Sequence, residues 1–237
     1  MIPLPDKPRT VRIEVSTRCN ARCLCCNRSF MQQPDNPWHL EDLDMEWSVF
    51  ERAIEFVGEG TRVDLFGLGE PTLHPRLVDM VKAVSDRGAD SMVSTNGILM
   101  NEDLVLRLRD AGLKGLVWSL YAPVGRLHEF LQSGVQSQMV WNNFKTSVKY
   151  GLGSAAIMVM MTYNLPEAPE LVRQVADAGC KTVILQQVGF TKQTFLERVA
   201  PTYTPNIPMA RHWIRVARSE ASRLGVRVDR CYHPTLQ

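Results

Sequence analysis

Short apolar runs rich in β-branched residues alternate with amphipathic stretches along most of the chain. The apolar runs have the length of buried strands. Each is followed by a segment whose apolar positions recur every three or four residues, as on one face of a helix. This alternation predicts strands at residues 11–15, 63–66, 91–94, 115–119, 155–162 and 182–187. A last helix at about 208–224 and a short strand at 226–228 follow them.

Capping residues indicate where the intervening helices begin and end. Asp44 is the predicted N-cap of the first of these helices, Pro75 opens the second at its first turn, and Asn101 caps the third. Glycine tolerates the left-handed backbone conformation that often ends a helix. The glycines predicted to close the second and later helices are Gly88, Gly112, Gly151, Gly179 and Gly225.

Six βα units in succession predict a parallel α/β sheet with right-handed crossovers. Eight units would close a full barrel, so six favour either an open doubly wound sheet or an incomplete, splayed barrel. Both alternatives place the active site at the carboxyl ends of the strands. We expect a single domain over residues 1–237, with its core at about 10–190 and a C-terminal helix and tail at about 191–237.

The composition is that of an ordinary globular protein. The 237 residues are 45% hydrophobic and 22% charged, which is enough to bury a core without disulfide or metal staples. Because 27 Lys and Arg nearly balance 25 Asp and Glu, a nucleic-acid or membrane-surface partner is not expected. No apolar run approaches the roughly 20 residues that cross a bilayer, and the N-terminus lacks a secretory signal. We therefore expect a cytoplasmic protein with reduced thiols.

Four of the six cysteines lie within eight residues, on the loop after the first predicted strand. Cys19, Cys23 and Cys26 have the spacing C-x3-C-x2-C, which lets a short loop turn three thiolates toward one metal centre. A structural zinc site usually takes two C-x2-C pairs, and the chain offers no second pair, since the next cysteines are Cys180 and Cys231. Around a [4Fe–4S] cluster, three thiolates leave one iron open to another ligand.

Other interpretations of these cysteines stay open on the sequence alone. The loop could form a zinc site completed by a distant Cys or His, or a disulfide, although ligand count and spacing favour the cluster. Cys25 either exchanges with Cys26 in a damaged cluster or packs as a small, soft side chain. Cys231 is either a packing residue or a hydrogen-atom donor.

The cysteine loop and the motifs after later strands resemble the radical S-adenosylmethionine (radical SAM) superfamily, over about residues 11–187. The resemblance implies a partial (β/α)6 barrel in which Cys19, Cys23 and Cys26 ligate three irons of a [4Fe–4S] cluster. It also implies that S-adenosylmethionine (SAM) chelates the fourth iron and is split by one electron into methionine and a 5′-deoxyadenosyl radical. Such chemistry is oxygen-sensitive and needs a reductant such as flavodoxin or ferredoxin.

Polar residues at the ends of later strands resemble the family's SAM contacts. Residues 67–71 are similar to its Gly-Gly-Glu-Pro segment, in which Gly69 permits close approach and Glu70 binds the methionyl ammonium. Ser119 matches a contact to the methionyl carboxylate, and Tyr121 replaces the Asp of a common Asp-Gly pair, which leaves the substrate class open. Thr162 and Asn164 are candidates for contact with the ribose of SAM, and the remaining candidates are Ser94, Asn96 and Gln186. Each alone is equally explained by turn hydrogen bonding, but their placement after successive strands favours ligand contact.

The resemblance implies an enzyme that cleaves SAM reductively and abstracts hydrogen from a small-molecule or peptide substrate. An activase that installs a glycyl radical on a partner protein is an alternative within the same family. A non-catalytic iron–sulfur electron carrier is the alternative from another class. The polar strand ends argue against a carrier, because it has no use for a ligand-binding opening.

Overall fold

A computed structural model describes residues 8–32, 36, 39–153, 155–187 and 207–231 of the chain. Its main sheet contains seven strands, and every neighbouring pair is parallel. A separate two-stranded antiparallel ribbon joins the cysteine loop to a later segment. The strands of the main sheet are β1 (Thr10–Arg12), β3 (Arg62–Asp64), β4 (Asp90–Thr95), β5 (Gly115–Ser119), β7 (Ala155–Met160), β8 (Thr182–Gln187) and β9 (Arg227–Cys231); the ribbon is β2 (Arg22–Cys23) with β6 (Gln132–Ser133).

The strand order decides between the two predicted architectures. Neighbours in the main sheet follow chain order, β1-β3-β4-β5-β7-β8-β9, without a reversal. A doubly wound sheet reverses its order at a switch point, whereas a barrel adds each strand on the same side as the last. The chain is therefore an α/β partial barrel, as predicted. Among the described residues, β1 and β9 form its two edges.

The sheet has one strand more than the six predicted units. The predicted strand at 226–228 is the start of β9, which pairs in parallel with β8 from Thr182↔Arg227 to Gln186↔Cys231. The C-terminal segment thus extends the same sheet. Of the predicted helix and tail at 191–237, only residues 207–231 fall within the described part of the chain.

Three strands, β1, β3 and β7, end earlier than predicted, and at two of them other groups take the backbone hydrogen bonds. Beyond Arg12 the first strand turns to the loop before the next helix, where the Val15 carbonyl accepts from the Met45 N–H at 2.9 Å. At the end of β7, the Asn164 side chain accepts from the Met161 N–H at 2.7 Å and stops the ladder. Local side-chain acceptors of this kind compete with strand pairing.

Eight helices connect the strands within the described residues. Asn101 caps its helix as predicted, since its side-chain oxygen accepts from the Leu104 N–H at 2.9 Å. The prediction for Asp44 is wrong: its carboxylate binds Arg18 and Ser16 instead. Pro75 precedes its helix, which begins only at Leu77. The helices are α1 (Asn27–Met31), α2 (Trp47–Ala53), α3 (Leu77–Ser85), α4 (Glu102–Asp110), α5 (Arg126–Leu131), α6 (Ser137–Lys149), α7 (Ala168–Asp177) and α8 (Ile207–Leu224).

The hydrophobic core lies between the sheet and the surrounding helices. Alternate strand residues such as Val63, Leu65 and Trp118 are buried against it, as the period of two along a strand requires. The Trp118 ring packs edge-on against Phe144 of α6 at 5.7 Å between ring centroids. None of the helices in the described ranges is both long and apolar enough to cross a membrane. Side chains on the other face of each strand point into the barrel interior.

Candidate active site

The inward-facing strand residues surround a cavity of about 970 Å³. All seven strands of the main sheet contribute to its lining, which shows that the sheet curves around it. A volume of this size lies in the range of small-molecule and cofactor sites. One lining residue from each strand in turn is Arg12, Asp64, Ser94, Ser119, Val159, Gln186 and Asp229.

The three cysteines of the C-x3-C-x2-C loop line this cavity. Cys19, Cys23 and Cys26 all contribute to its wall, at the carboxyl ends of the strands. Cys25 lies instead against a small apolar cluster built around Leu131 and Met161. The structure thus separates the three spaced cysteines from the fourth in the way that a three-ligand site requires.

The two-stranded ribbon pairs the cysteine loop with the segment after α5. Cys23 is paired with Gln132, and Arg22 with Ser133. Next to the ribbon, the Leu24 N–H donates to the Leu131 carbonyl at 3.0 Å. A short loop rich in cysteine has little apolar surface of its own, so these backbone hydrogen bonds fix its conformation.

Burial raises the pKa of Cys19. The pKa of Cys23 lies well above its ordinary value, because burial and then the neighbouring cysteines disfavour the thiolate. For Cys25, burial raises the pKa to about 12. Several thiolates are therefore not accommodated together unless a positive centre offsets their charge.

Gly69 is required for close contact between the segment after β3 and the cysteine loop. A Cβ at this position would lie 2.0 Å from the Ser16 carbonyl oxygen. The next residue continues the contact, since the Glu70 N–H donates to the Arg18 carbonyl at 2.7 Å. Gly69 also lines the cavity, so its backbone is open to a ligand on the other side.

Glu70 links two strand ends and does not line the cavity. Its carboxylate accepts from the Asn96 N–H at 2.7 Å, from the Thr95 hydroxyl at 2.8 Å and from the Thr72 hydroxyl at 2.6 Å. Burial raises the pKa of this carboxyl, and the hydrogen bonds act in the opposite direction. Its role as a ligand of the methionyl ammonium stays a prediction, and the structure gives it a supporting position.

Five of the other predicted site residues line the cavity. The Asn96 amide donates to the Asn20 side-chain oxygen at 2.7 Å, which ties the end of β4 to the cysteine loop. Its nitrogen is also 3.9 Å from the Cys19 sulfur. Tyr121 lies beside Cys25, and burial raises the pKa of its hydroxyl well above its ordinary value. The five residues are Ser94, Asn96, Ser119, Tyr121 and Gln186.

Thr162 and Asn164 are not among the residues that line the cavity. Asn164 is fully buried and donates from its amide to the Tyr121 carbonyl at 2.7 Å and to the Val159 carbonyl at 2.8 Å. It therefore fastens the end of β7 to the segment after β5. Contact of these two residues with the ribose of SAM stays a prediction.

Sequence reasoning missed Glu14 and Gln132. The Glu14 carboxylate accepts from the Leu68 and Gly69 N–H groups, and a Cβ on Gly67 would lie 2.5 Å from it. Its inward-facing position, two residues after Arg12 in the first predicted strand, is a signal that could have found it. Gln132 is fully buried beside Cys23. No local pattern indicates it, because the ribbon pairs residues more than 100 positions apart.

A charged edge, formed by Arg12, Arg62 and Asp64, lines the part of the cavity next to β1. Asp64 is 1% exposed and is paired with Arg62 at 2.9 Å and with Arg12 at 3.5 Å. The two arginine side chains are themselves 49% and 65% exposed. The Arg12 guanidinium also lies 5.0 Å from the centre of the Phe66 ring. Two cations thus share one anion at this edge.

Together these observations define an α/β partial barrel that presents three thiol ligands to a cavity at the carboxyl ends of its strands. The model of the radical SAM superfamily matches residues 13–175, more than half of the chain. The chain therefore belongs to the radical SAM superfamily, as the sequence motifs predicted.

Similar proteins carry several different activities. The tungsten-containing aldehyde ferredoxin oxidoreductase cofactor-modifying protein of Pyrococcus furiosus is 26% identical over 186 residues, which cover 74% of this chain and 50% of that protein. A probable GTP 3′,8-cyclase of Methanopyrus kandleri is 30% identical over 184 residues, covering 76% and 57%. The solved structure of Streptococcus suis SuiB bound to S-adenosylmethionine has the same fold, with a TM-score of 0.75 at 16% identity, over 98% of this chain and 52% of that one. The chain spans about half the length of the curated relatives it matches.

The residues present fit the [4Fe–4S] cluster and SAM that the family uses. Thiolates are the usual protein ligands of such clusters, and three of them face one cavity here. Within the described ranges, no three His, Cys, Asp or Glu side chains converge on the position of a single metal ion. In a [4Fe–4S] cluster each thiolate binds a different iron.

Proposed function

We propose that this chain is a radical SAM enzyme that holds a [4Fe–4S] cluster through Cys19, Cys23 and Cys26. It cleaves SAM reductively and abstracts hydrogen from a substrate bound in the same cavity. One observation carries the proposal: the three spaced cysteines face a cavity whose wall also contains the polar ends of successive strands. A carrier of electrons alone would need the thiols but not this wall.

The bound cluster would supply the electron that splits the sulfonium of SAM and gives the 5′-deoxyadenosyl radical. The protein's own residues bind SAM and orient it in the cavity. Gly69 brings its backbone to the cavity, and Glu70 holds Asn96 and Thr95 in place beside it. We assign the methionyl carboxylate to Ser119, a further SAM contact to Gln186, and the ribose contact to Thr162 and Asn164 in the segment after β7.

Water must be kept from the radical while it exists. The middle strands contribute apolar side chains to the cavity wall, among them Val117, Ile157 and Val159. These side chains form an apolar wall on the middle strands β5 and β7. We propose that it surrounds the carbon from which hydrogen is taken, because an apolar side chain offers no hydrogen bond to water there.

The charged edge makes a polar, charge-bearing substrate the best fit, either a small molecule or a peptide. Arg12 and Arg62 share Asp64, so N–H groups of two half-exposed guanidiniums can also reach a substrate carboxylate or phosphate. The reductant is a small electron carrier such as flavodoxin or ferredoxin. A cluster held by cysteine thiolates requires a reducing compartment, which favours the cytoplasm.

The test is oxygen-free reconstitution of the purified chain with iron and sulfide. We expect about four irons per chain by the cluster stoichiometry, and formation of 5′-deoxyadenosine and methionine when a reductant and SAM are added. Replacement of Cys19, Cys23 or Cys26 by Ala should lower both iron content and product at least tenfold.

Cys180→Ala is the matched control, because Cys180 is a buried core residue before β8, at the opposite ends of the strands. It should retain iron and activity. Zinc instead of iron, or iron that survives loss of the cysteine trio, would contradict the proposal. A loaded cluster whose paramagnetic signal ignores SAM and that yields no 5′-deoxyadenosine would favour the electron carrier.

A further inference from the structure

Gln132 is a buried amide placed directly beside one of the three spaced cysteines. It is fully buried, lines the cavity and faces Cys23 in the antiparallel ribbon. Its nitrogen lies 3.9 Å from the Cys23 sulfur. The rest of the ribbon contributes backbone pairing, so this side chain is the part of β6 that reaches the cysteine.

The orientation of the amide is set by its oxygen. That oxygen accepts from the Tyr121 N–H at 3.4 Å, which turns the nitrogen of Gln132 toward Cys23. A buried amide N–H without an acceptor is costly, and a thiolate is a stronger acceptor than a thiol. Asn96, which lies 3.9 Å from the Cys19 sulfur, differs because its nitrogen also has a side-chain oxygen at 2.7 Å.

Two titratable side chains next to Gln132, His128 and Tyr121, are uncharged at pH 7. The nearest titratable side chain of α5, His128, is fully buried, and burial lowers its pKa to about 4. Its imidazole is therefore neutral at pH 7. The hydroxyl of Tyr121, on the other side, is also uncharged, because burial raises its pKa.

We propose that Gln132 donates an N–H···S hydrogen bond to the Cys23 thiolate and thereby raises the reduction potential of the cluster. This inference rests on the proposed function. Reduction adds negative charge to the cluster and its sulfur ligands, so a donor aimed at one sulfur stabilises the reduced form more than the oxidised form. Gln132 is thus a positioning and tuning residue, not a catalytic one.

The test compares the midpoint potential of the reconstituted cluster in the wild type and three variants, by redox titration followed by electron paramagnetic resonance without SAM. Gln132→Leu removes the donor, and Gln132→Glu keeps the shape but replaces the donor with an acceptor. Gln136→Leu is the matched control, because Gln136 is exposed and lies four residues away.

We expect both Gln132 variants to lower the ratio of reduced to oxidised cluster about tenfold at a fixed potential, a shift of about 59 mV for one electron. The midpoint potential should fall at least as far in Gln132→Glu as in Gln132→Leu, and it should not change in Gln136→Leu. Iron content should stay at the wild-type value. A wild-type potential in the Glu variant, with iron retained, would overturn the inference.

A merely structural role for Gln132 predicts a different result. It would lower iron content or thermal stability in the Leu variant while the clusters that remain keep the wild-type potential, and that outcome also overturns the inference. Failure of the proposed function is separate, because it would appear as absence of a [4Fe–4S] cluster, or of SAM cleavage, in the wild type itself.

Discussion

The two walls of the cavity are stabilised in different ways. Around the cysteines, buried amides and hydroxyls join strand ends to one another, and the buried carboxylate of Glu70 is surrounded by donors. At the charged edge, Arg12 and Arg62 hold Asp64 through ion pairs and remain half-exposed to solvent. The comparison shows that the two regions use different interactions, hydrogen bonds in one and ion pairs in the other. Hydrogen-bonded amides and hydroxyls hold the strand ends beside the cysteines, whereas the charged edge is held by ion pairs.

This difference follows from the cost of burial. A neutral hydrogen bond can be buried at little net cost if every group is satisfied, whereas a buried ion pair must offset a large desolvation penalty. An exposed guanidinium avoids most of that penalty. The network beside the cysteines should therefore be sensitive to single substitutions, and the charged edge should tolerate them.

The largest effect is expected from Glu70→Gln. The substitution replaces one of the two carboxylate oxygens with an NH2 group, so either the Asn96 N–H or the Thr95 and Thr72 hydroxyls lose their buried acceptor. We expect a loss of about 4 kcal/mol in the free energy of unfolding, measured by anaerobic urea titration. The exposed Glu59→Gln is the control and should change it by less than about 0.5 kcal/mol. An equal loss of stability in both variants would show that the hydrogen bonds of Glu70 contribute no more than an exposed carboxylate does.

An intermediate effect is expected from pH, through His128. Its folded pKa of about 4 lies below the ordinary 6.5 because the ring is buried. Between these values the unfolded chain binds a proton that the folded chain does not, so stability falls as the pH is lowered from 6.5 toward 4. The loss should reach about 3 kcal/mol. His128→Phe should flatten this part of the stability profile relative to the wild type.

The smallest effect is expected at the charged edge. Arg12→Gln removes the longer of the two ion pairs to Asp64 while Arg62 keeps the other. Because the side chain is 65% exposed, the free energy of unfolding should change by less than about 1 kcal/mol, and raising the salt concentration should reduce the difference. A loss as large as that of Glu70→Gln would show that the two walls are not stabilised differently.

Much of the fold could be predicted because its signals are local. The alternation of apolar runs and amphipathic stretches located the strands. Asn101 caps the start of its helix as predicted, and Gly88 and Gly112, both at positive φ, follow the ends of theirs. Asp44 failed as a cap because a residue distant in sequence, Arg18, competes for its carboxylate. The ribbon between Cys23 and Gln132 was missed for the same reason.

The candidate site shows the same difference between local signals and contacts that are distant in sequence. The sequence by itself determined the spacing of Cys19, Cys23 and Cys26 and the order of strand-end motifs, because these depend only on positions along the chain. Only the tertiary structure decided that Glu70 and Asn164 hold the wall together while Ser119 and Gln186 face the cavity. Both kinds of residue are polar and follow a strand. Which of them meets a ligand depends on how the curved sheet turns each side chain, and that is set by packing between elements far apart in sequence.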